Sequence, residues 1–187
     1  MKVIHTDLKD VYILEPQVFG DHRGWFMESW SQRTLEANGI FYDFVQDNHS
    51  FSANKGTLRG LHCQNGAAAQ AKLVRCVKGT ILDVAVDVRI GSPTYKKWIS
   101  VELSADNFRQ LLIPRGFLHG YLTLTDNVEF LYKTDNFYNH EADRSVIWND
   151  PEFSINWGTN NPIVSEKDAG APLYQQSDIH FIYDKGE

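Results

Sequence analysis

The chain has 187 residues, of which 42% are hydrophobic and 22% are charged, and it carries a formal net charge of -6. These values are typical of a soluble globular protein and predict a single domain over residues 1–187. The negative charge argues against a nucleic-acid-binding protein, because such surfaces are broadly basic. A local cluster of cations such as Arg59, Lys72 and Arg75 is still compatible with binding of a small phosphorylated ligand.

The sequence contains no pattern typical of export or of a membrane anchor. Its first residues, MKVIHTDLKD, include acidic residues where a signal peptide has an apolar run, and no later stretch approaches the roughly 20 apolar residues of a membrane helix. Cys63 and Cys76 are the only cysteines, too few for a disulfide framework or a zinc site. We therefore expect a cytoplasmic protein without a membrane or nucleic-acid partner.

The N-terminal part predicts strands followed by one helix. Val11–Glu15 is a short apolar run before Pro16 and is expected to be an edge strand. After a turn at Asp21–Gly24, the segment Trp25–Trp30 reads as a strand with aromatic residues on both faces, which a second sheet or a second subunit would have to bury. Ser31–Asn38, followed by Gly39, has the N-cap and C-terminal signals of a short helix.

The centre of the chain, Gly56–Arg89, predicts three consecutive strands that carry polar residues among leucines and valines. These residues either line a ligand cavity or lie on the solvated face of a sheet, and the pattern leaves both interpretations open. The polar residues of this stretch are Arg59, His62, Gln64, Lys72, Arg75, Asp83 and Asp87.

Periodicity separates the two faces of the third strand in this stretch. Between Ile81 and Arg89 the even positions are apolar, whereas the odd ones include Asp83 and Asp87, which predicts a half-buried antiparallel strand. In the first strand, Arg59 falls on the opposite face from His62 unless Gly60 makes a bulge. Arg59 and His62 are therefore expected to be neighbours only if that bulge forms.

The remainder of the chain continues as strands. Trp98–Leu103, Asn107–Pro114 and Val128–Lys133 are apolar-rich segments, and short spacing with Gly, Asn, Asp and Pro between them predicts an all-β sandwich or barrel. Ser165–Asp168 is compatible with a solvent-exposed turn, and Tyr183–Glu187 is expected to be frayed.

The residue types favour acid–base chemistry. A metal site needs three or four His, Cys or carboxylate ligands, but the position two after His62 is Gln64, and the nearby cations Lys72 and Arg59 would repel a metal ion. Nucleophile elbows and glycine-rich phosphate loops do not occur. A histidine base, a tyrosine acid, an orienting carboxylate and a lysine remain, a set that suits proton abstraction next to a carbonyl group.

Several strings, in order along residues 1–172, resemble the dTDP-4-dehydrorhamnose 3,5-epimerase family. They include FGDHRGWFMES, VQDNHS, LRGLHCQ, AQAKLVR, DVAVDVR, IPRGFLHG, IWNDP and SEKD. The resemblance implies a cupin-like jelly roll with few short helices, a homodimer, and no metal or other cofactor. It also implies a dTDP-sugar substrate, with dTDP-4-dehydro-6-deoxy-D-glucose epimerised at C3 and C5 to dTDP-4-dehydro-L-rhamnose, a step towards cell-surface L-rhamnose.

The same resemblance implies roles for individual residues. His62 matches the general base, Tyr132 the general acid, Asp168 the carboxylate paired with the histidine, and Lys72 the lysine near the sugar ketone. Tyr138 matches the aromatic ring that stacks on thymine. The remaining matches to substrate contacts are Arg23 and Glu28 from the N-terminal strand, Gln46, Asp47, Asn48, Arg59, His119, Asp143, which is usually glutamate, and Lys167.

Two departures from the family pattern bear on substrate preference. Cys63 stands where an aromatic residue is common, and the segment Asn65–Ala69 is smaller than the usual proline-rich or bulkier one. Related epimerases act on other nucleotide 4-keto sugars or at C3 or C5 only, so a single-site epimerase is an alternative. A non-catalytic sugar-nucleotide-binding jelly roll and a metal-dependent cupin isomerase or oxygenase are alternatives from other classes.

Overall fold

Short segments of alternating apolar and polar residues form most of the ordered structure, as their patterning predicts. The structure is a computed structural model that describes residues 1–184, so residues 185–187, and with them much of the predicted frayed end, lie outside the described residues. The strands are β1 (Lys2–His5), β2 (Tyr12–Glu15), β3 (Val18–Asp21), β4 (Gly24–Met27), β5 (Gln46–Ser52), β6 (Leu58–Gln64), β7 (Lys72–Lys78), β8 (Thr80–Asp87), β9 (Arg89–Ile90), β10 (Trp98–Ser104), β11 (Gln110–Ile113), β12 (Phe117–Thr123), β13 (Val128–Thr134), β14 (Asp143–Ser145) and β15 (Phe181–Ile182).

Two short α-helices and three 3₁₀ turns complete the described chain. They are α1 (Gln32–Glu36) and α2 (Glu166–Ala169), with 3₁₀ turns at Gly66–Ala68, His140–Ala142 and Tyr174–Gln176. Within residues 1–184, neither helix has the length or apolar character needed to cross a bilayer.

Two antiparallel sheets face each other across the core. One has six strands in the order β1-β2-β11-β7-β13-β5, and the other has five in the order β10-β8-β12-β6-β14. From β6 onward most consecutive strands change sheet, which is the connectivity of a jelly roll. The core between the sheets joins Val74 and Phe130 of the first sheet to Ile81, Ala85 and Tyr121 of the second. The predicted all-β jelly-roll sandwich with few short helices is thus confirmed.

A second core covers the outer face of the five-stranded sheet. Val84, Val86 and Leu118 pack there against Phe153 and Trp157 of the C-terminal segment. Strand β8 is therefore buried on both faces, and the prediction that it is only half-buried is wrong, although its antiparallel pairing with β10 and β12 is confirmed. The polar positions Asp83 and Asp87 have no exposed surface.

Gly60 produces the irregularity that the sequence allows. The register between β12 and β6 shifts between His119 and Tyr121, opposite this glycine. A Cβ atom at Gly60 would lie 2.6 Å from the Cα of Gly120, and its φ of 134° favours glycine. The two strands approach too closely here for any side chain, and the shift allows Arg59 and His62 to share one side of the strand.

The N-terminal part differs in detail from the prediction. The edge strand is β1, because β1 pairs with the outer side of β2 and leaves β2 inside the sheet. Helix α1 lies within the predicted segment, although the Ser31 side chain makes no capping hydrogen bond. Strand β4 ends at Met27 and forms a separate hairpin with β3, in which Trp25 and Phe26 are 59% and 70% exposed. The protomer thus does not bury the aromatic faces of this hairpin.

Candidate active site

A cavity of about 500 Å³ opens between the two sheets. Its walls come from strands β5, β6, β7, β12 and β13 and from the segment 163–168 that contains α2. Seven of the residues predicted for the site line it, namely Arg59, His62, Lys72, His119, Tyr132, Lys167 and Asp168. The conditional prediction that Arg59 and His62 are neighbours is therefore confirmed.

Two polar residues of the central stretch, Asp83 and Asp87, lie in the protein interior rather than in the cavity. Asp83 lies behind the cavity wall, where it contacts His119. Asp87 accepts hydrogen bonds from Arg89, Ser92 and Thr94 in a buried cluster that belongs to the scaffold. These carboxylates are therefore neither solvated nor part of the cavity surface.

His62 and Asp168 form a short hydrogen bond. Nε2 of His62 lies 2.6 Å from Oδ1 of Asp168, whose side chain is only 5% exposed. Ser165 caps α2 by accepting a hydrogen bond of 3.1 Å from the backbone N–H of Asp168. The segment that the sequence left as an exposed turn is therefore a capped helical turn that presents a buried carboxylate to the histidine.

Backbone pairing sets the position of Asp168. The segment before α2 runs beside the start of β6, where Ile163 N donates to Gly56 O and Leu58 N donates to Ile163 O, both at 2.8 Å. Because these hydrogen bonds fix both segments of the chain, Asp168 lies opposite His62 although the two residues are far apart in sequence.

Asp168 is anionic at neutral pH. Burial acts most strongly and raises the pKa of its carboxyl group, but the hydrogen bond and charge of His62, together with the Gly60 N–H, outweigh burial and lower this pKa below its ordinary value. A carboxylate at Nε2 favours the tautomer that carries a proton there. The other ring nitrogen is then free to accept a proton.

A second histidine–carboxylate pair lies beside the first. His119 is the cross-strand partner of His62, and its Nε2 lies 3.1 and 3.0 Å from the two carboxylate oxygens of Asp83. Burial lowers the pKa of His119, which keeps its ring neutral near pH 7. Asp83 thereby fixes the ring orientation of His119 in the cavity wall.

Lys72 brings an unpaired ammonium group to the cavity. Burial lowers its pKa, and the carboxylates of Asp83 and Asp143 partly oppose this change. Within residues 1–184 its Nζ makes neither a hydrogen bond nor an ion pair, so the group is available to a ligand. A partly desolvated cation in such a position interacts strongly with developing negative charge.

Tyr132 faces His62 from the opposite sheet. It lies on β13 of the six-stranded sheet, whereas His62 lies on β6 of the five-stranded sheet. Burial raises the pKa of the Tyr132 phenol, so the hydroxyl is protonated and can donate a proton. A proton acceptor and a proton donor thus lie on opposite walls of one cavity.

Asp143 and Tyr138 lie beside Lys167 of the cavity lining, although neither lines the cavity itself. Lys167 Nζ lies 2.5 Å from Oδ2 of Asp143, and the Tyr138 hydroxyl lies 3.4 Å from the same oxygen. The Tyr138 ring is 55% exposed, and its backbone N–H donates to Oε1 of Gln46 at 3.1 Å. This cluster leaves an aromatic face open to a ligand beside the cavity.

The three site residues predicted on strand β5 lie on two different faces of the strand. Gln46 and Asn48 share the inward face with Ser50, and their side chains hydrogen-bond each other at 3.0 Å. Asp47 lies on the outer face and pairs with Lys133 at 2.8 Å. That pair borders a hollow of about 150 Å³, which is also lined by Arg75. Asn48 also borders this hollow. The cavity lining of this chain therefore contains none of Gln46, Asp47, Asn48 and Arg75.

Arg23 and Glu28 also lie away from the cavity of their own chain. Arg23 is on the β3–β4 hairpin, where its guanidinium lies 2.5 Å from the carboxylate of Asp21. Glu28 follows β4 and is exposed. The Trp25 ring of this hairpin contacts Phe108, with ring centroids 4.9 Å apart. The hairpin thus lies against the loop before β11 rather than over the cavity.

Several lining residues were not predicted as site residues. The Tyr121 hydroxyl and Ser50 Oγ are 3.0 Å apart, and the Tyr121 and Phe130 ring centroids are 4.3 Å apart, so the back wall is aromatic. Inward alternation on β5, β12 and β13 could have identified Ser50, Tyr121 and Phe130. Asp83 had a clearer signal, since it is a carboxylate within an apolar strand. Among the described residues, no three His, Cys, Asp or Glu side chains group closely enough to hold a metal ion.

The fold and site define a class of protein: a jelly-roll enzyme equipped to remove and return protons in a cavity between its two sheets. A family model described as dTDP-4-dehydrorhamnose 3,5-epimerase matches residues 5–176, and the chain belongs to this family. A dTDP-4-dehydrorhamnose 3,5-epimerase of Shigella flexneri is 52% identical over 183 residues, covering 97% of this chain and 100% of the relative.

Solved structures agree with this assignment. The dTDP-6-deoxy-D-glucose-3,5-epimerase of Legionella pneumophila, solved in complex with dTDP-4-keto-L-rhamnose, has a TM-score of 0.92 and 42% identity and covers 98% of each chain. A 3′-monoepimerase from Streptomyces bikiniensis, in complex with dTDP-quinovose, has a TM-score of 0.84 and 32% identity, covering 91% of this chain and 86% of its own. The fold is thus the cupin-like jelly roll of these epimerases.

The lowered pKa of Asp168 generates a prediction for stability against pH. Its carboxylate stabilises the fold above the unfolded-state pKa of about 4, and this contribution is lost as pH falls through the lower folded-state pKa. Asp168→Asn should therefore cost about 1–3 kcal/mol at pH 7 and progressively less in acid. Urea unfolding at several pH values measures the difference. The exposed Asp106→Asn is the control, and a cost that does not depend on pH would contradict the prediction.

Proposed function

We propose that this protein, as a single domain, epimerises dTDP-4-dehydro-6-deoxy-D-glucose at C3 and C5 to dTDP-4-dehydro-L-rhamnose. The observation that carries the proposal is the placement of the His62–Asp168 pair and Tyr132 on opposite walls of one cavity, with the free ammonium of Lys72 beside them. Inversion at a carbon requires a proton to leave one face and another to arrive at the opposite face. The names of the relatives support the same reaction.

His62 is the base in this mechanism. The 4-keto group acidifies the hydrogens at C3 and C5, and the ring nitrogen of His62 that is free of Asp168 takes one of these protons. The imidazolium that forms is then stabilised by the anionic carboxylate at 2.6 Å. Removal of the proton leaves an enolate whose charge lies on the 4-oxygen.

Lys72 stabilises that enolate. Its ammonium has no protein partner in residues 1–184, and the partly buried setting that lowers its pKa also strengthens its attraction for a new negative charge. Tyr132 then delivers its hydroxyl proton to the opposite face of the carbon, which inverts the centre. Protonated His62 then releases its proton to solvent and the Tyr132 phenolate takes one up from solvent, which restores the base and the acid. A second cycle at the other carbon completes the reaction, and no electrons are transferred.

The remaining residues bind the nucleotide sugar. Arg59 lies at the cavity rim, where its guanidinium can bind phosphate oxygens, and His119 lines the sugar end. Tyr138 stacks on thymine beside the cavity, next to Lys167 and Asp143. Gln46 and Asn48 supply amides from the inner face of β5. Asp47 belongs to the same strand segment, but its side chain points outward and pairs with Lys133.

We also infer a homodimer in the cytoplasm, in which the β3–β4 hairpin of one protomer reaches the cavity of its partner. Two observations support this. Trp25 and Phe26 are largely exposed on the isolated hairpin, and Arg23 and Glu28, which match substrate contacts, lie away from their own cavity. In a dimer, the partner protomer would bury the two aromatic rings, and its cavity would receive Arg23 and Glu28.

Replacing His62 tests the chemical step. His62→Ala should lower kcat by about 10²–10⁴-fold, because it removes the base, and should leave dTDP affinity nearly unchanged, because affinity comes from the arginine, lysine and stacking contacts. Turnover and calorimetric titration with dTDP measure both. His5→Ala, on the distant strand β1, is the control. Full activity of His62→Ala would show that a different group is the base, whereas dTDP binding without turnover by the wild-type protein would favour a non-catalytic binding protein.

Isotope incorporation tests which carbons react. In D₂O the wild-type enzyme should place deuterium at both C3 and C5, and Tyr132→Phe should retain exchange while losing inverted product, since His62 can return a proton to the face that it came from. NMR of the product measures the two positions. Deuterium at C3 alone would make the chain a single-site epimerase. The likeness to a 3′-monoepimerase makes this the alternative to test, whereas the small residues Ala67–Ala69 leave room for the sugar to present both carbons in turn.

Mixed dimers test the shared site. Arg23→Ala and His62→Ala should each impair every site of a homodimer, whereas a heterodimer of the two has one site with both residues intact. Heterodimers purified after co-expression of differently tagged variants should therefore recover about half of the wild-type activity. Two His62→Ala protomers with different tags are the control. Failure to recover activity in purified heterodimers would show that Arg23 does not act across the interface.

A further inference from the structure

Gln64 joins the loop after β6 to the loop after β13, and these two loops together line a surface hollow separate from the cavity. It lies two residues after His62 at the end of β6 and is only 5% exposed. Its Nε2 donates to Ala68 O at 2.7 Å and to Phe137 O at 3.1 Å, and its Oε1 accepts from Asn139 N at 2.6 Å. One buried amide therefore satisfies three backbone groups on two different loops.

The two loops are cross-linked by further amide side chains. Asn136 Nδ2 donates to Ala67 O at 3.0 Å, and Gln70 Nε2 donates to Asn136 O at 2.8 Å. One loop contains the small 3₁₀ turn Gly66–Ala68, and the other carries Tyr138. The conformation of the second loop thus depends on side chains that reach it from β6, from the first loop and, through Gln46, from β5.

The Tyr138 ring needs this external support. Tyr138 is 55% exposed and its neighbour Phe137 is 65% exposed, so packing contributes little to the position of either ring. Backbone bonds on both sides of Tyr138 instead hold the loop, at Phe137 O and Asn139 N, and Gln64 makes both of them. If the loop is already ordered before the nucleotide binds, no binding free energy is lost in ordering it.

We propose that Gln64 is a positioning residue that presents the Tyr138 ring to the base of the nucleotide, an inference that rests on the proposed function. Lys72 depends much less on it, because β7 is held in the ladder by β11 on one side and β13 on the other. Gln64 should therefore govern nucleotide affinity rather than the chemical step. Glutamine fits the position because the loops require two donated protons and one acceptor.

The test is calorimetric titration with dTDP and steady-state kinetics. Gln64→Met, which keeps the shape and removes all three bonds, should weaken dTDP binding and raise KM by about tenfold, with kcat changed less than about threefold. Gln64→Asn, which keeps the amide on a side chain one carbon shorter, should fall between. It also serves if the methionine variant does not fold. Asn65→Ala is the matched control, since its two hydrogen bonds reach Asp178 and His180 instead.

A double-mutant cycle separates positioning from general stability. In a Tyr138→Ala background, Gln64→Met should cause no further loss of dTDP affinity, because the ring that it positions is already absent. Equal losses with and without Tyr138, or unchanged dTDP affinity in Gln64→Met, would overturn the inference. Absence of dTDP binding or turnover by the wild-type protein would instead overturn the proposed function, so the two failures are distinguishable.

Discussion

The hydrogen bond between His62 and Asp168 is the contact on which the site depends. Asp168 is almost fully buried, and a buried carboxylate is costly unless it is paired and hydrogen-bonded. The imidazole, the Gly60 N–H and the capped start of α2 together supply that compensation. The same bond fixes the histidine tautomer, so one interaction satisfies an energetic requirement of the fold and a chemical requirement of proton transfer.

The C-terminal segment makes this contact possible. Phe153 and Trp157 cover the outer face of the five-stranded sheet, and the chain then returns along the start of β6 before forming α2. Because apolar burial holds this segment to the sheet, the short helix needs little stability of its own. A four-residue helix can then position a reactive group accurately, since both of its flanks are tied to the scaffold.

The cavity combines groups with different electrostatic environments. Burial keeps His119 neutral and Tyr132 protonated, while Asp168 remains charged because His62 and backbone N–H groups offset its burial. Lys72 lies among them without a protein partner in the described chain. An epimerase needs a proton acceptor on one wall and a proton donor on the facing wall, because one face of the sugar must lose a proton and the other must gain one.

The sequence by itself determined the strand pattern, the short helix and the set of residue types, because alternation, caps and turn residues are local properties. It also identified the family, through many strings in order. Tertiary structure decided which residues meet: it buried Asp83 and Asp168, turned Asp47 outward, placed β1 at the sheet edge and left Arg23 and Glu28 on an exposed hairpin. These outcomes depend on contacts between residues far apart in the chain, which a local pattern does not encode.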